Sequence, residues 1–305
     1  MRYAVLDVGT NSVKFHVGEL SADGIWRTVV DRAEVTRLGE GLDENGRLGA
    51  EPMRRTAEAI AAMVGEAREQ GVEEIAAVGT AGLRIAPNAA DLIDAVRSET
   101  GVEIEVIPGE EEARLAYLAV RAGLGPVAGA LVVFDTGGGS SQFTFGHGDQ
   151  VDEQFSVNVG AARFTERYGL DRAVPDSVVQ EAREGIAADL EHLEGLPTPG
   201  RLVGMGGAVT NMAAVKLELA AYDPDAVQGV TLDAAEIDRQ IELYRIRDAD
   251  ERRAITGLQP NRAAVILAGA CIVRTVLAKL ECDTLTVSDR GLRHGVLVER
   301  FGGRS

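Results

Sequence analysis

LVVFDTGGGSSQFTFG, residues 131–146, is the stretch on which the reading of this chain turns. Leu131 to Phe134 is an apolar run that reads as a buried strand, with Asp135 at its end. Thr136 to Ser140 is a turn in which Gly137, Gly138 and Gly139 carry no side chain to keep a ligand from the backbone. Phe143 and Phe145 then alternate with polar residues, so the chain enters a second strand rather than a helix. A nucleotide P-loop and a dinucleotide fingerprint both run from strand into helix, and the P-loop also ends in Gly-Lys-Ser/Thr. Neither is present. What remains is a β-hairpin whose turn offers backbone N–H groups to an anion, with a carboxylate beside it.

The same form occurs earlier. Ala4-Val5-Leu6 leads into Asp7-Val8-Gly9-Thr10-Asn11-Ser12-Val13-Lys14-Phe15. With Asp7 aligned on Asp135, Gly9 falls on Gly137, Ser12 on Ser140 and Phe15 on Phe143, which gives D-x-G-x-x-S-x-x-F twice. One such match describes any tight hairpin with incidental glycines. Two in register, each after an apolar run, point to two homologous half-molecules serving one ligand.

The 305 residues suit two domains or one large one, and 45% hydrophobic residues suffice for a core. No apolar run reaches the ~18 residues of a membrane span. The chain goes directly into its first strand, so no signal peptide is expected. Cys271 and Cys282 lack metal-type spacing and fit a reducing cytoplasm. A net charge of -17 argues against a general nucleic-acid or acidic-membrane binder. An anionic substrate would have to be held by a few named cations, backbone amides and a metal. The histidines His16, His147, His192 and His294 are scattered, with no metal-binding spacing.

Taken in order, residues 2–18 read as the first hairpin and 25–35 as a third strand; residues 51–70 read as an amphipathic helix ended by Gly71. Thr80 to Arg84 follows a short strand at 75–78, where α/β sheets place ligand loops. After a strand at 102–107, Glu110, Glu111 and Glu112 open a helix. The helix dipole by itself explains acidic residues there. Alternatively, one of the three is an ionised base, and residue chemistry leaves open which. Ala122 to Pro126 is the expected domain boundary, dividing 1–123 from 124–305, with the last helix able to pack back on the first domain. Gly204 to Thr210, with Gly206 and Gly207, is a third glycine-rich loop entering a helix: either an anion site at a helix start or close strand–helix packing.

Nine segments now add up to a resemblance: DVGTNSVKFHV (7–17), RLGEGL (37–42), GTAGLR (79–84) with Asn88, IPGEEEARL (107–115), FDTGGGSSQ (134–142), NVGAARFTERY (158–168), GMGGAVTN (204–211), GLQPNRA (257–263) and VSDRGLRHG (287–295). In this order they resemble the exopolyphosphatase / guanosine pentaphosphate phosphatase family, Ppx/GppA, in its short two-domain form. That family lies within the superfamily of sugar kinases, actin and heat-shock chaperones. The resemblance implies an α/β fold of two actin-like (ribonuclease H-like) domains, with duplicated phosphate hairpins and an interdomain cleft. It also implies hydrolysis of a terminal phosphoanhydride with Mg²⁺, possible replacement by Mn²⁺, and a homodimer.

Carried over by motif, Glu112, directly before Ala-Arg, becomes the catalytic glutamate. Gly9, Thr10, Asn11, Ser12, Gly137, Gly138, Gly139 and Ser140 become the phosphate loops, with Gly206 and Gly207 a further phosphate contact. Arg84 neutralises a phosphate, and Asp7 and Asp135 take the metal. Two departures stand out. Gln142 occupies a position where the family usually has glutamate, and Ala264 one where it usually has aspartate; the expected consequences are weaker metal binding, a shifted metal preference or low activity. His294 replaces a frequent glutamate. The substrates implied are inorganic polyphosphate or, alternatively, guanosine pentaphosphate. A low-activity sensor of polyphosphate or an alarmone and an ATP-dependent sugar-kinase-like transferase are the competing classes.

Overall fold

The computed structural model describes every residue except 23, 126–128 and 304–305, and omits the side chains of 43 and 44; the boundary proline Pro126 lies outside the described residues. The chain forms two compact units, Met1–Ala119 with Gly291–Ser305, and Val120–Arg290.

The first unit is built on strands β1 (Arg2–Val8), β2 (Ser12–Leu20), β3 (Trp26–Val35), β4 (Glu74–Gly79) and β5 (Ile104–Val106), in the order β3-β2-β1-β4-β5. β1 pairs antiparallel with β2 and parallel with β4. It is apolar on both faces because the sheet is covered on both. Its alternate residues part accordingly. Ala4, Leu6 and Val8 join the core with Ile60, Met63 and Val64 of α2 (Ala50–Glu69), which follows a short helix α1 (Leu42–Asn45). Tyr3 and Val5 join the core formed with α13 (Leu292–Phe301). β3, at the sheet edge, carries Arg27, Asp31, Arg32 and Glu34, charges that discourage pairing with another chain. Two further helices follow β4: α3 (Ala81–Ile85), and α4 (Ala89–Thr100), whose Ala89, Leu92 and Val96 face the core.

α13 is the last helix, the one able to pack back across a division at 123/124. It belongs to the first unit, and the boundary itself falls within α5 (Gly109–Leu124). The reason is apolar: Leu292, Val296, Leu297 and Phe301 all bury in the core of β1, with Phe301 stacked on Tyr3 at 4.5 Å. Gly295 lets α13 approach α5 closely, since a Cβ there would lie 1.9 Å from the Leu115 carbonyl oxygen. Arg293 adds a bidentate pair to Asp31 on β3, at 2.8 and 2.9 Å. Burial pushes the Asp31 carboxyl up, but His16, His294 and Arg293 outweigh it and hold it well below the ordinary range. Burial pushes His294 down to about 3.

The second unit repeats the first sheet. Strands β6 (Ala130–Thr136), β7 (Ser141–His147), β8 (Gln150–Val157), β9 (Arg201–Met205), β10 (Thr231–Asp233) and β11 (Thr284–Val287) take the order β10-β11-β9-β6-β7-β8. β6 pairs antiparallel with β7 and parallel with β9, as β1 does with β2 and β4. Even an irregularity recurs: pairing with the third strand shifts register at Gly18 and at Gly146, each eleven residues after its aspartate. α6 (Ala161–Tyr168), α7 (Asp176–Asp189), α8 (Gly207–Lys216) and α10 (Ala234–Arg245) surround α12 (Ile266–Lys279), and a short helix α9 (Pro224–Val227) precedes β10, as α11 (Ala249–Arg252) follows α10. α12 is buried almost all round, from Ile266 to Leu277, as an apolar helix must be.

Candidate active site

Both hairpin turns close the same way, Gly9 N–H donating to the Ser12 carbonyl at 3.0 Å and Gly137 N–H to the Ser140 carbonyl at 2.9 Å. What surrounds each turn decides where its amides point. In the first, the Thr10 carbonyl accepts from Gly39 N–H, and the Asn11 carbonyl accepts from Thr36 and Arg37 N–H. In a trans peptide the C=O and the following N–H point opposite ways. The amides of Asn11 and Ser12 therefore turn away from the loop that engages the carbonyls. In the second turn the Gly137 and Gly138 carbonyls accept from the first amides of α6, and the Gly139 carbonyl from Arg163 Nε at 3.3 Å. The amides of Gly138, Gly139 and Ser140 thus face the other side. Each turn is a set of aligned N–H groups, the arrangement that holds an anion. Gly160 is needed for this, because a Cβ there would lie 2.4 Å from the Gly138 carbonyl oxygen.

In the first unit four charged side chains collect beside the turn. Asp7, at the end of β1, is buried and lies directly across the ladder from Lys14, whose Nζ donates to Asp7 Oδ2 at 3.2 Å. Arg84, on α3, donates from Nη1 to the Ile107 carbonyl at 2.9 Å and lies 3.4 Å from Glu112 Oε2. α3 packs closely on the turn through Gly82, where a Cβ would stand 3.0 Å from Thr10 Oγ1. The three glutamates of α5 are now distinguishable. Glu110 is exposed, Glu111 is held bidentately by Arg114 at 2.8 Å, and Glu112 faces Arg84. Burial and then the charge of Asp7 push the Glu112 carboxyl above its ordinary value, against Arg84 and Lys14. Desolvation and a like charge both make a carboxylate more basic.

In the second unit Asp135 lies across the ladder from Gln142, the position that matches Lys14. Gln142 Nε2 donates to Ser140 Oγ at 3.0 Å. Gly206 has φ 88° and sits against this aspartate; a Cβ would lie 2.6 Å from Asp135 Oδ1. Gly207 opens α8 and lies under the guanidinium of Arg262, which a Cβ would meet at 2.5 Å. The third glycine loop packs closely on Thr136 and Asp135, and the Arg262 guanidinium lies at the start of α8. Lys14 and Arg262 are site neighbours that motif reading passed over. Lys14 was detectable as the residue opposite an aspartate in a two-stranded register, whereas Arg262 depends on a contact across the fold.

Hard oxygen donors suit Mg²⁺. Asp7 supplies a buried carboxylate, and its repulsion of Glu112 is the kind of charge that a divalent cation relieves, so the donor set fits. Two of the four histidines, scattered in sequence, come together in space. His16 and His294 meet at Asp31, because β2 and α13 are packed together in the fold. Among the described residues no helix is long and apolar enough to cross a membrane.

A model of the Ppx/GppA phosphatase family matches residues 19–302. The chain belongs to this family. The crystal structure of the Aquifex aeolicus Ppx/GppA phosphatase, type II variant, superposes with a TM-score of 0.89 at 34% identity and covers 99% of each chain. Exopolyphosphatase 1 of Mycobacterium tuberculosis is 29% identical over 99% of this chain and 88% of that protein. The bifunctional 3-dehydroquinate synthase/phosphatase of Fusobacterium nucleatum is 26% identical over 97% of this chain, which spans only 46% of that longer relative. This family member has the actin-like fold of its solved relatives.

Proposed function

We propose that this Ppx/GppA family member is an exopolyphosphatase, releasing the terminal phosphate of inorganic polyphosphate. The observation that carries the reading is that Glu112 alone among its neighbours combines a raised carboxyl with a cation, Arg84, placed 3.4 Å away. Glu112 takes a proton from water, whose oxygen attacks the terminal phosphorus. The P–O bond to the rest of the chain breaks, and its electron pair stays on the leaving oxygen. The amides of the 9–12 and 137–140 turns, with Ser12 and Ser140, hold phosphate oxygens, helped by Gly206, Gly207 and Arg84. Asp7 and Asp135 are the carboxylates assigned to Mg²⁺, with Mn²⁺ as a substitute. When bound, the ion neutralises charge on phosphate oxygens. Phosphoryl transfer of this kind runs on positioning and charge neutralisation. Under the same reading the protein works in the cytoplasm as a homodimer. The free thiols Cys271 and Cys282 suit a reducing compartment.

Phosphate release from polyphosphate and from guanosine pentaphosphate, measured side by side with Mg²⁺ and Mn²⁺, tests this. Faster release from the pentaphosphate would reassign the substrate, and binding without release would make the chain a sensor. Glu112→Gln should lower kcat by about 10²–10⁴ with KM little changed; an unchanged kcat would sink the mechanism.

A further inference from the structure

His16, Asp31 and His294 lie outside the proposed catalytic site and have no part in its chemistry. We infer that they form a binding site for a borderline divalent transition metal ion of the zinc or cobalt class. His16 Nδ1 and His294 Nε2 each stand 3.5 Å from the same atom, Asp31 Oδ2. The three ligand atoms lie within 4.8 Å of one another. A tetrahedral ion with bonds of ~2.0–2.1 Å has ligand–ligand edges of roughly 3.3–3.4 Å. The two N···O edges therefore match a metal site better than they match hydrogen bonds, which are shorter. The rings are 4.5 Å apart and tilted by 53°, so they converge on the oxygen rather than stack.

A second observation points the same way. His16 is 2% exposed, and its Nδ1 is buried without a hydrogen-bond partner. Buried polar atoms left unpaired in this way need an explanation, and an unfilled ligand position is one. Arg293 meets Asp31 side-on, Nε to Oδ1 and Nη2 to Oδ2, and so orients the carboxylate. Each carboxylate oxygen accepts more than one bond, which leaves Oδ2 capacity toward the imidazoles. One contact opposes loading. Gly291 N–H approaches His294 Nδ1 at 3.3 Å, and a metal on Nε2 requires the ring proton at Nδ1, so this long contact must be given up. Imidazole nitrogen selects against Mg²⁺, which keeps this site chemically separate from the oxygen-only set around Asp7.

The test uses the full chain after chelator treatment, titrated with Co²⁺ and with Zn²⁺ in excess Mg²⁺. One Co²⁺ per chain should bind with visible absorption bands of tetrahedral intensity, and Zn²⁺ should displace it. His16→Gln and His294→Gln should each weaken binding by about 100-fold or more, beyond the effect of losing an outer-shell partner. His147→Ala, which removes the exposed His147–Asp152 pair, should leave binding unchanged. If the buried variants fail to fold, ring signals of His16 and His294 in the wild-type NMR spectrum supply the reading, since both should shift on Zn²⁺ addition. No cobalt bands in the wild type, unmoved ring signals, or binding lost only in His147→Ala would overturn the proposal.

Discussion

At the residue scale, the position directly across the ladder from each aspartate separates the two turns. Lys14 faces Asp7 and Gln142 faces Asp135. A lysine there neutralises its aspartate, while an amide does not. Gln142→Glu would set two carboxylates opposite each other, unfavourable without a cation and a ligand pair with one. Its expected outcome is half-maximal activation at a Mg²⁺ or Mn²⁺ concentration several-fold lower, read from metal titration of phosphate release; an unchanged midpoint would count against Asp135 as a metal ligand. Glu112 carries a pH prediction. As a base it works deprotonated, and its pKa is raised by burial and by Asp7. Activity should therefore fall, as pH drops, at a higher pH than an ordinary glutamate would give, near 4.3. A pH–rate profile whose acid limb lies at or below that value would remove the assignment. From sequence, Glu110, Glu111 and Glu112 were equivalent first-turn acids, and only the family resemblance chose among them. The structure separates them by partner, because a helix points successive residues about 100° apart.

At the element scale, two helices offer direct tests. α13 approaches α5 so closely at Gly295 that any Cβ would clash with backbone rather than with a movable side chain. Gly295→Ala should destabilise by roughly 1–3 kcal/mol or more, the cost of overpacking, seen as a lower midpoint in thermal or denaturant unfolding. An unchanged midpoint would mean that the two helices are less tightly apposed. In α10, the N-cap Asp233 accepts from Glu236 N–H, and the Glu236 carboxylate accepts from Arg239 and Gln240. Arg239 leads the causes that hold Glu236 below its ordinary value. A depressed folded pKa stabilises above the unfolded value and loses that stabilisation as pH falls through the folded one. Glu236→Gln should therefore be less stable than wild type at pH 7, by about 0.5–1 kcal/mol since Arg239 is half exposed. The gap should close as pH drops below about 4. A gap independent of pH would show that the ion pair contributes nothing.

At the scale of the whole molecule, the return of the C-terminal segment to the first unit carries the largest prediction. Leu292, Val296, Leu297 and Phe301 are buried there, each contributing ~1.5–3 kcal/mol. Their sum is comparable to the total stability of a domain, about 5–15 kcal/mol. A chain ending at Arg290 should lose the cooperative unfolding transition of the first unit, followed by circular dichroism and limited proteolysis. A truncated chain melting like the full one would contradict the assignment of α13.

Repeated strands and turns were legible in the sequence by themselves, because a β-hairpin is a local structure. Apolar alternation, a glycine turn and a terminal aspartate sit within sixteen residues, and the copy at Asp7 matches the one at Asp135 from the aspartate through Phe15 and Phe143. Tertiary structure alone decided which residues far apart in the chain share a neighbourhood. Arg84 beside Glu112, Arg262 over Gly207, His16 with His294 at Asp31, and α13 on β1 all depend on packing between elements. No spacing along the chain encodes those distances; they follow from which apolar faces find cover in three dimensions.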